Sequence, residues 1–167
     1  PMNKNLVIIT GPLAPYRVDL YEGIAKELSP AWTTSLVYAA KQQEAHAWGD
    51  LFGQVQQLQL HYCPGWVIAP WLRSCISWIK GSPPQPNLPD FSLLQKLRQL
   101  KPDVIWIAEY PAYCIAALLY GVIHDIPVIV HTEVGALTKP GILSGITKAY
   151  QKFWGNYISG LVACSTE

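Results

Sequence analysis

Residues 6–28, LVIITGPLAPYRVDLYEGIAKEL, limit what the chain can fold into more than any other stretch. The stretch opens on Leu6-Val7-Ile8-Ile9, an apolar run rich in β-branched residues that suits a strand buried on both faces. Gly11 and Pro12 follow and are expected to break that strand. Pro15 stands where the first turn of a helix tolerates a missing N–H. After it Val18, Tyr21, Ala25 and Leu28 recur at helical spacing, with Asp19, Glu22 and Lys26 on the other side. A buried strand, a Gly/Pro turn and an amphipathic helix form the first βα unit of an α/β sheet. Ligands of such sheets bind outside the carboxyl ends of the strands, which here is the loop at residues 10–17.

The remaining segments repeat that alternation. Residues 33–39 (TTSLVYA) read as a second strand, and residues 54–60 (QVQQLQL) as an edge or half-exposed strand. Residues 91–100 form an amphipathic helix with Leu93, Leu94, Leu97 and Leu100 inward, stopped by Lys101-Pro102. Residues 103–108 (DVIWIA) are a buried strand, 111–125 an apolar helix, 127–132 (PVIVHT) another buried strand, 146–158 an aromatic-rich helix and 160–164 a last short strand. Strands alternating with helices imply right-handed parallel crossovers. The expected fold is therefore α/β, a Rossmann-like, doubly wound, mainly parallel sheet with helices on both faces.

Two segments stand apart. Residues 65–80 (GWVIAPWLRSCISWIK) place Trp71, Cys75, Trp78 and Ile79 on one helical face, with Arg73 and Lys80 the only charges. They fit a helix packed on the sheet, a fully buried helix, or a surface at the membrane boundary, where Trp and basic residues are favoured. Residues 81–89 (GSPPQPNLP) read as a surface connector, neither helix nor strand.

A formal net charge of +1 excludes a strongly basic nucleic-acid binder, so no nucleic-acid partner is expected. Cys63, Cys75, Cys114 and Cys164 form no Cys-x-x-Cys pair, which reads as free thiols in a reducing compartment rather than a metal site. No apolar window is long enough to span a bilayer, and the expected location is cytoplasmic, with residues 65–80 the one candidate for peripheral contact with the inner face of the membrane. Pro1 precedes Met2 and is set aside, so that 2–167 are read as one domain. Ser165-Thr166-Glu167 resemble the cap of a helix that would follow the last strand, so the chain reads as a fragment that stops within an incomplete unit.

Four strand ends meet on one rim of this sheet, offering Gly11, Pro12, Tyr16 and Arg17, then residues 38–41, then Glu109 and Tyr110, then His131, Glu133 and Gly135. His131 directly ends a buried strand; it is either a ligand group beside the crevice or a hydrogen-bonded closure of the strand. Glu109 either takes a substrate hydroxyl or caps the next helix. Arg17 in a first helical turn opposes the helix dipole, which points to an anionic or polar partner or to simple solvent exposure. His46, His61 and His124 lie in polar or loop settings and read as solvated. No zinc spacing, Walker loop, nucleophile elbow or Gly-x-Gly-x-x-Gly occurs, which argues against an NAD enzyme.

Taken in order, GPLAPYRVDLYEGIAKEL, LRQLKPDVIWIAEY, PVIVHTEVG and AYQKFWGNYISGLVACSTE resemble segments of the family-4 (group 1) retaining glycosyltransferases of GT-B architecture. The resemblance implies an N-terminal, mainly acceptor-side domain whose donor-binding partner domain is absent from this chain. It implies that Gly11 lets backbone approach the donor phosphates and that His131 touches the transferred sugar. It also implies that Pro12, Tyr16, Arg17, Glu109, Tyr110, Glu133 and Gly135 line the substrate side. The implied reaction transfers a sugar from a nucleotide sugar to a saccharide or lipid-linked acceptor with retention, in polysaccharide or cell-envelope synthesis. No metal or other cofactor is expected, and the isolated domain should be inactive. Two rival readings remain: a stand-alone, non-catalytic module binding a sugar or membrane surface, and another nucleotide-using α/β enzyme.

Overall fold

The computed structural model describes residues 3–12, 15–40, 55–63, 66–67, 87–88, 91–108, 115–132, 152 and 155–163. Along them run β1 (Lys4–Pro12), α1 (Pro15–Leu28), β2 (Trp32–Ala40), β3 (Leu58–Tyr62), β4 (Trp66–Val67), β5 (Asn87–Leu88), α2 (Phe91–Leu100), β6 (Val104–Ala108), α3 (Ile115–Ile123), β7 (Val128–Thr132) and β8 (Gly160–Ala163). Six strands form one sheet in the order β3-β2-β1-β6-β7-β8, every pair parallel. The order runs outward from β1 in one direction and from β6 in the other, so the sheet is the doubly wound, Rossmann-like one expected.

Alternate residues of each strand feed two cores, as the period of two requires. Leu6, Ile8, Leu36, Leu58 and Ala108 pack with Val18, Tyr21 and Ala25 of α1 on one face. Val7, Ile9, Val37, Ile105, Ile107, Val128 and Val130 pack on the other with Leu93 and Leu97 of α2 and Ala117 and Leu118 of α3. Helices thus cover both faces; of the predicted inward residues of α1, Val18, Tyr21 and Ala25 are buried and Leu28 lies at the margin, while Arg17 is buried besides. Leu93 and Leu97 are fully enclosed, with Leu94 and Leu100 at the margin.

Polar contacts at the lower end of the sheet hold its register. Asn5 N donates to Asp103 Oδ2 at 2.7 Å, and Asp103 N donates to Asn5 O at 2.8 Å, pinning β6 beside β1. Lys101 ends α2 in a left-handed conformation, φ 46°, with its N–H donating to Leu97 O at 2.9 Å. Pro102 then prevents any continuation, as its position in the sequence implied. Glu22 Oε1 accepts from the N–H groups of Gln56 and Gln57 at 2.9 and 2.7 Å, tying the approach to β3 onto α1.

The structure corrects three local expectations. Gly11 and Pro12 do not break β1, which runs through both and pairs Pro12 with Ala40. The ladder to β6 has already ended at Ile9 and Ile107, so beyond it the missing N–H of Pro12 interrupts nothing on that side. Trp66–Val67 and Asn87–Leu88, read as helix start and loop, form a two-stranded antiparallel pair, the second strand fitting between prolines because it needs pairing on one side only. The edge strand expected at 54–60 lies at Leu58–Tyr62, since Gln56 and Gln57 spend their N–H groups on Glu22. The rest of 65–80, the first part of the helix at 111–125 and most of that at 146–158 lie outside the described residues. Among the described residues no helix is long and apolar enough to cross a membrane.

Candidate functional site

The sheet order places the change of winding direction between β1 and β6, and the crevice of such a fold opens there, above the carboxyl ends of the strands. The register builds one transverse row across this rim. Thr10 pairs with Tyr38 and Tyr38 with Tyr62, while Ala108 pairs with His131 and His131 with Val162. Ile9 pairs with Ile107, so the next step sets Thr10 beside Ala108 and completes the row. Partners in a parallel sheet share a face, and this row lies on the face that carries α1.

Of the predicted site residues, Gly11, Pro12, Tyr16, Arg17 and His131 can be placed. Gly11 and Pro12 close β1, and Gly11 is buried. Tyr16 is 57% exposed at the start of α1, whereas Arg17 beside it is only 7% exposed. Arg17 Nε donates to Tyr16 Oη at 3.2 Å, and its guanidinium lies 5.7 Å from the centre of the Tyr16 ring. The solvated reading of Arg17 therefore fails. A cation in the first turn of a helix opposes the dipole there, and burial withdraws the water that would screen it; Tyr16 is one of the groups that hold it in place. Glu109, Tyr110, Glu133 and Gly135 lie outside the described residues.

His131 is 2% exposed at the end of β7, and its ring meets that of Trp106 edge-on, centroids 6.1 Å apart at 86°. Two buried polar atoms accompany it. Thr10 Oγ1 and Trp106 Nε1 have no hydrogen-bond partner among the described residues, and each such group costs about 1–3 kcal/mol. Thr34 Oγ1 is also bare, but it stands four residues further down the sheet from Tyr38, about 13 Å from the rim. Thr10 and Trp106 were not legible as site residues, because Thr in a buried run reads as an ordinary β-branched strand former. Whether its hydroxyl finds a partner is decided only by tertiary packing.

On the β2–β3 side, the rings of Tyr38 and Tyr62 lie 5.4 Å apart. Burial, with smaller effects from Tyr62 and Cys63, raises the Tyr38 hydroxyl above its ordinary value, so at neutral pH it keeps its proton and can donate. Among the described residues no three His, Cys, Asp or Glu side chains stand together as a metal cage would need. Cys63 is a buried thiol that forms no disulfide; the other cysteines lie outside the described residues.

His61, read as solvated, is instead part of β3, with Nε2 buried and unbonded among the described residues. Burial, reinforced by the positive charge of Lys96, holds its imidazole below the ordinary 6.5. The unfolded chain therefore takes this proton first. Stability should decline as pH falls below about 6.5 and stop declining on this account below the folded-state value. His61→Gln should remove that part of the decline in melting temperatures recorded from pH 8 to 5, and parallel curves for the two proteins would refute it.

No family model and no curated protein matches the chain by sequence. Its fold, however, matches solved structures. It superposes on a UDP-GlcNAc 2-epimerase from Neisseria meningitidis bound to UDP-GlcNAc with TM-score 0.56 and 16% identity, over 96% of this chain and 40% of that one. A second UDP-N-acetylglucosamine 2-epimerase gives TM-score 0.60 and 12% identity over 97% of this chain and 42% of that one. The S. aureus MnaA-UDP co-structure gives 0.53 and 13% over 96% and 37%. The chain thus spans about two-fifths of the length of these structures. At such identities the likeness establishes the architecture: a Rossmann-like α/β domain of the kind found within these larger proteins.

Proposed function

We propose that the chain is the acceptor-side half of a two-domain GT-B enzyme that works on a nucleotide sugar, transferring the sugar with retention to a saccharide or lipid-linked acceptor. The observation that carries this reading is that Arg17, in the first turn of α1, and His131, at the end of β7, are each buried towards the carboxyl end of the sheet. The superposed structures bound to UDP-GlcNAc or UDP support the nucleotide-sugar part of it. Retaining transfer breaks the bond from the sugar's anomeric carbon to the diphosphate and forms one to the acceptor oxygen on the same face. The acceptor proton leaves with the diphosphate or to solvent. The barrier falls through positioning and through stabilisation of charge on the leaving group. In this scheme His131 orients the sugar and need not act as a base. Arg17 supplies a desolvated positive charge to the substrate side, and Gly11 lets backbone approach the phosphates.

A second reading has support of its own, since two of the superposed structures are epimerases: the same half-site would then serve inversion at C2 of the sugar. The protein encoded by the complete gene, incubated with UDP-, GDP- and ADP-sugars with and without saccharide acceptors, separates the two. Nucleoside diphosphate release with an α-linked product from an α-linked donor is the expected result. A C2-inverted nucleotide sugar would favour the epimerase reading. Neither product, with sugar binding intact, would leave the non-catalytic module.

A further inference from the structure

We propose that Thr10 and Trp106 form, with His131, a subsite for the hydroxyl groups of a sugar ring, an inference that rests on the nucleotide-sugar reading above. Thr10 and His131 sit in the same transverse row, two strand spacings or about 10 Å apart, with only the methyl group of Ala108 between them. The small side chain of Ala108 therefore stands between a hydroxyl on β1 and an imidazole on β7, 0% and 2% exposed. Trp106 lies two residues below Ala108 on the same face, and its indole stands edge-on to His131.

The hydrogen-bonding capacities define the occupant. An indole N–H only donates, whereas the threonine hydroxyl donates once and accepts twice. A ligand group that accepts from one and exchanges bonds with the other is itself a hydroxyl, and several on one ring would use all three side chains. The apolar face of the same ring suits the aromatic side chains. Neither Thr10 nor Trp106 needs its polar atom for folding. Val has the shape of Thr, and Phe supplies an aromatic ring without the N–H, and both would remove an unmet bond. Keeping the polar atoms on the α1 face at the carboxyl end of the switch-point strands is what binding, rather than packing, requires.

The chain contains seven tryptophans, and hence seven indole N–H resonances in a 15N-labelled sample. That of Trp106 is identified by its loss in Trp106→Phe, or by its through-space contact with the His131 ring. Titrated separately with UDP, UDP-GlcNAc and free GlcNAc, it should shift with the two sugar-bearing probes and stay in place with UDP. Thr10→Val should weaken binding of UDP-GlcNAc at least fivefold with no fall in melting temperature, and Thr10→Ser should restore it. A Trp106 resonance that stays still while others move overturns the subsite and leaves the nucleotide-sugar reading standing. An unchanged Kd in Thr10→Val, or failure of Thr10→Ser to recover it, removes Thr10 from the subsite. If no resonance moves with any of the three probes, the subsite falls, and turnover of a nucleotide sugar by the protein from the complete gene decides the nucleotide-sugar reading separately.

Discussion

Gly121→Ala and Gly23→Ala should move the melting temperature in opposite directions, although both glycines lie inside helices. Exchanging a helical Gly for Ala gains about 1 kcal/mol of helix propensity. At Gly23 of α1 a new methyl group would meet nothing within 4 Å, so that gain is kept. At Gly121 of α3 the added carbon would collide with the side chain of Val128 on β7 and come within 3.2 Å of the Ile126 carbonyl oxygen. Val128 is 1% exposed and branched at Cβ, so it cannot rotate away cheaply. Overpacking of this kind costs about 1–3 kcal/mol, and here two neighbours must yield, one of them backbone. For a chain of this size Gly23→Ala should melt about 2–4 °C higher, Gly121→Ala about 4 °C lower and Gly121→Val about 10 °C lower. Calorimetry of the three variants decides it. A stabilised Gly121→Ala would mean that α3 does not lie this close to β7. The stake is functional as well, since α3 links β6 to β7 and so sets the height of His131 against Ala108.

That packing shows where the sequence was readable and where it was not. The buried runs at Leu6–Ile9, 103–108 and 127–132 announce their strands because burial on both faces demands unbroken apolar residues. The leucine spacing of α2 names its inner face for the same reason. His131 was legible because it directly ends such a run. Strand order is different, because nothing local tells β6 to pair with β1; the reciprocal bonds of Asn5 and Asp103, 98 positions apart, do so only once the fold has formed. The burial of Arg17 and His61 belongs to the same class. Their chain neighbours, Tyr16 and Val18 for Arg17 and Leu60 and Tyr62 for His61, do not say whether the side chain is covered; the three-dimensional cover over it decides. Gly11 and Pro12 misled for a third reason: they are strand breakers only where both ladders continue, and one had already ended.

The largest functional effect should come from His131. In the complete enzyme His131→Gln should lower kcat by up to about 100-fold, because the amide offers a donor and an acceptor but not where the ring nitrogens stand, and that is the order of loss when a hydrogen bond aimed at the reacting centre is lost. Glutamine is the informative substitution because His131 is 2% exposed and braced against Trp106. Alanine there would delete buried contacts as well, adding a stability loss of about 1–3 kcal/mol that could be mistaken for a catalytic defect. If His131 orients the sugar in the transition state, kcat and kcat/KM should fall together while the melting temperature of His131→Gln changes little. A rise in KM with kcat unchanged would make His131 a general binding contact. Full activity in His131→Gln would reduce it to closure of the strand end, the other reading that its place in the sequence left open. Because the expected role is orientation and not proton transfer, the pH profile of the residual activity should keep the shape of the parent enzyme's, displaced downward. A profile that loses its acid limb in the variant would instead show that the imidazole itself was carrying the proton.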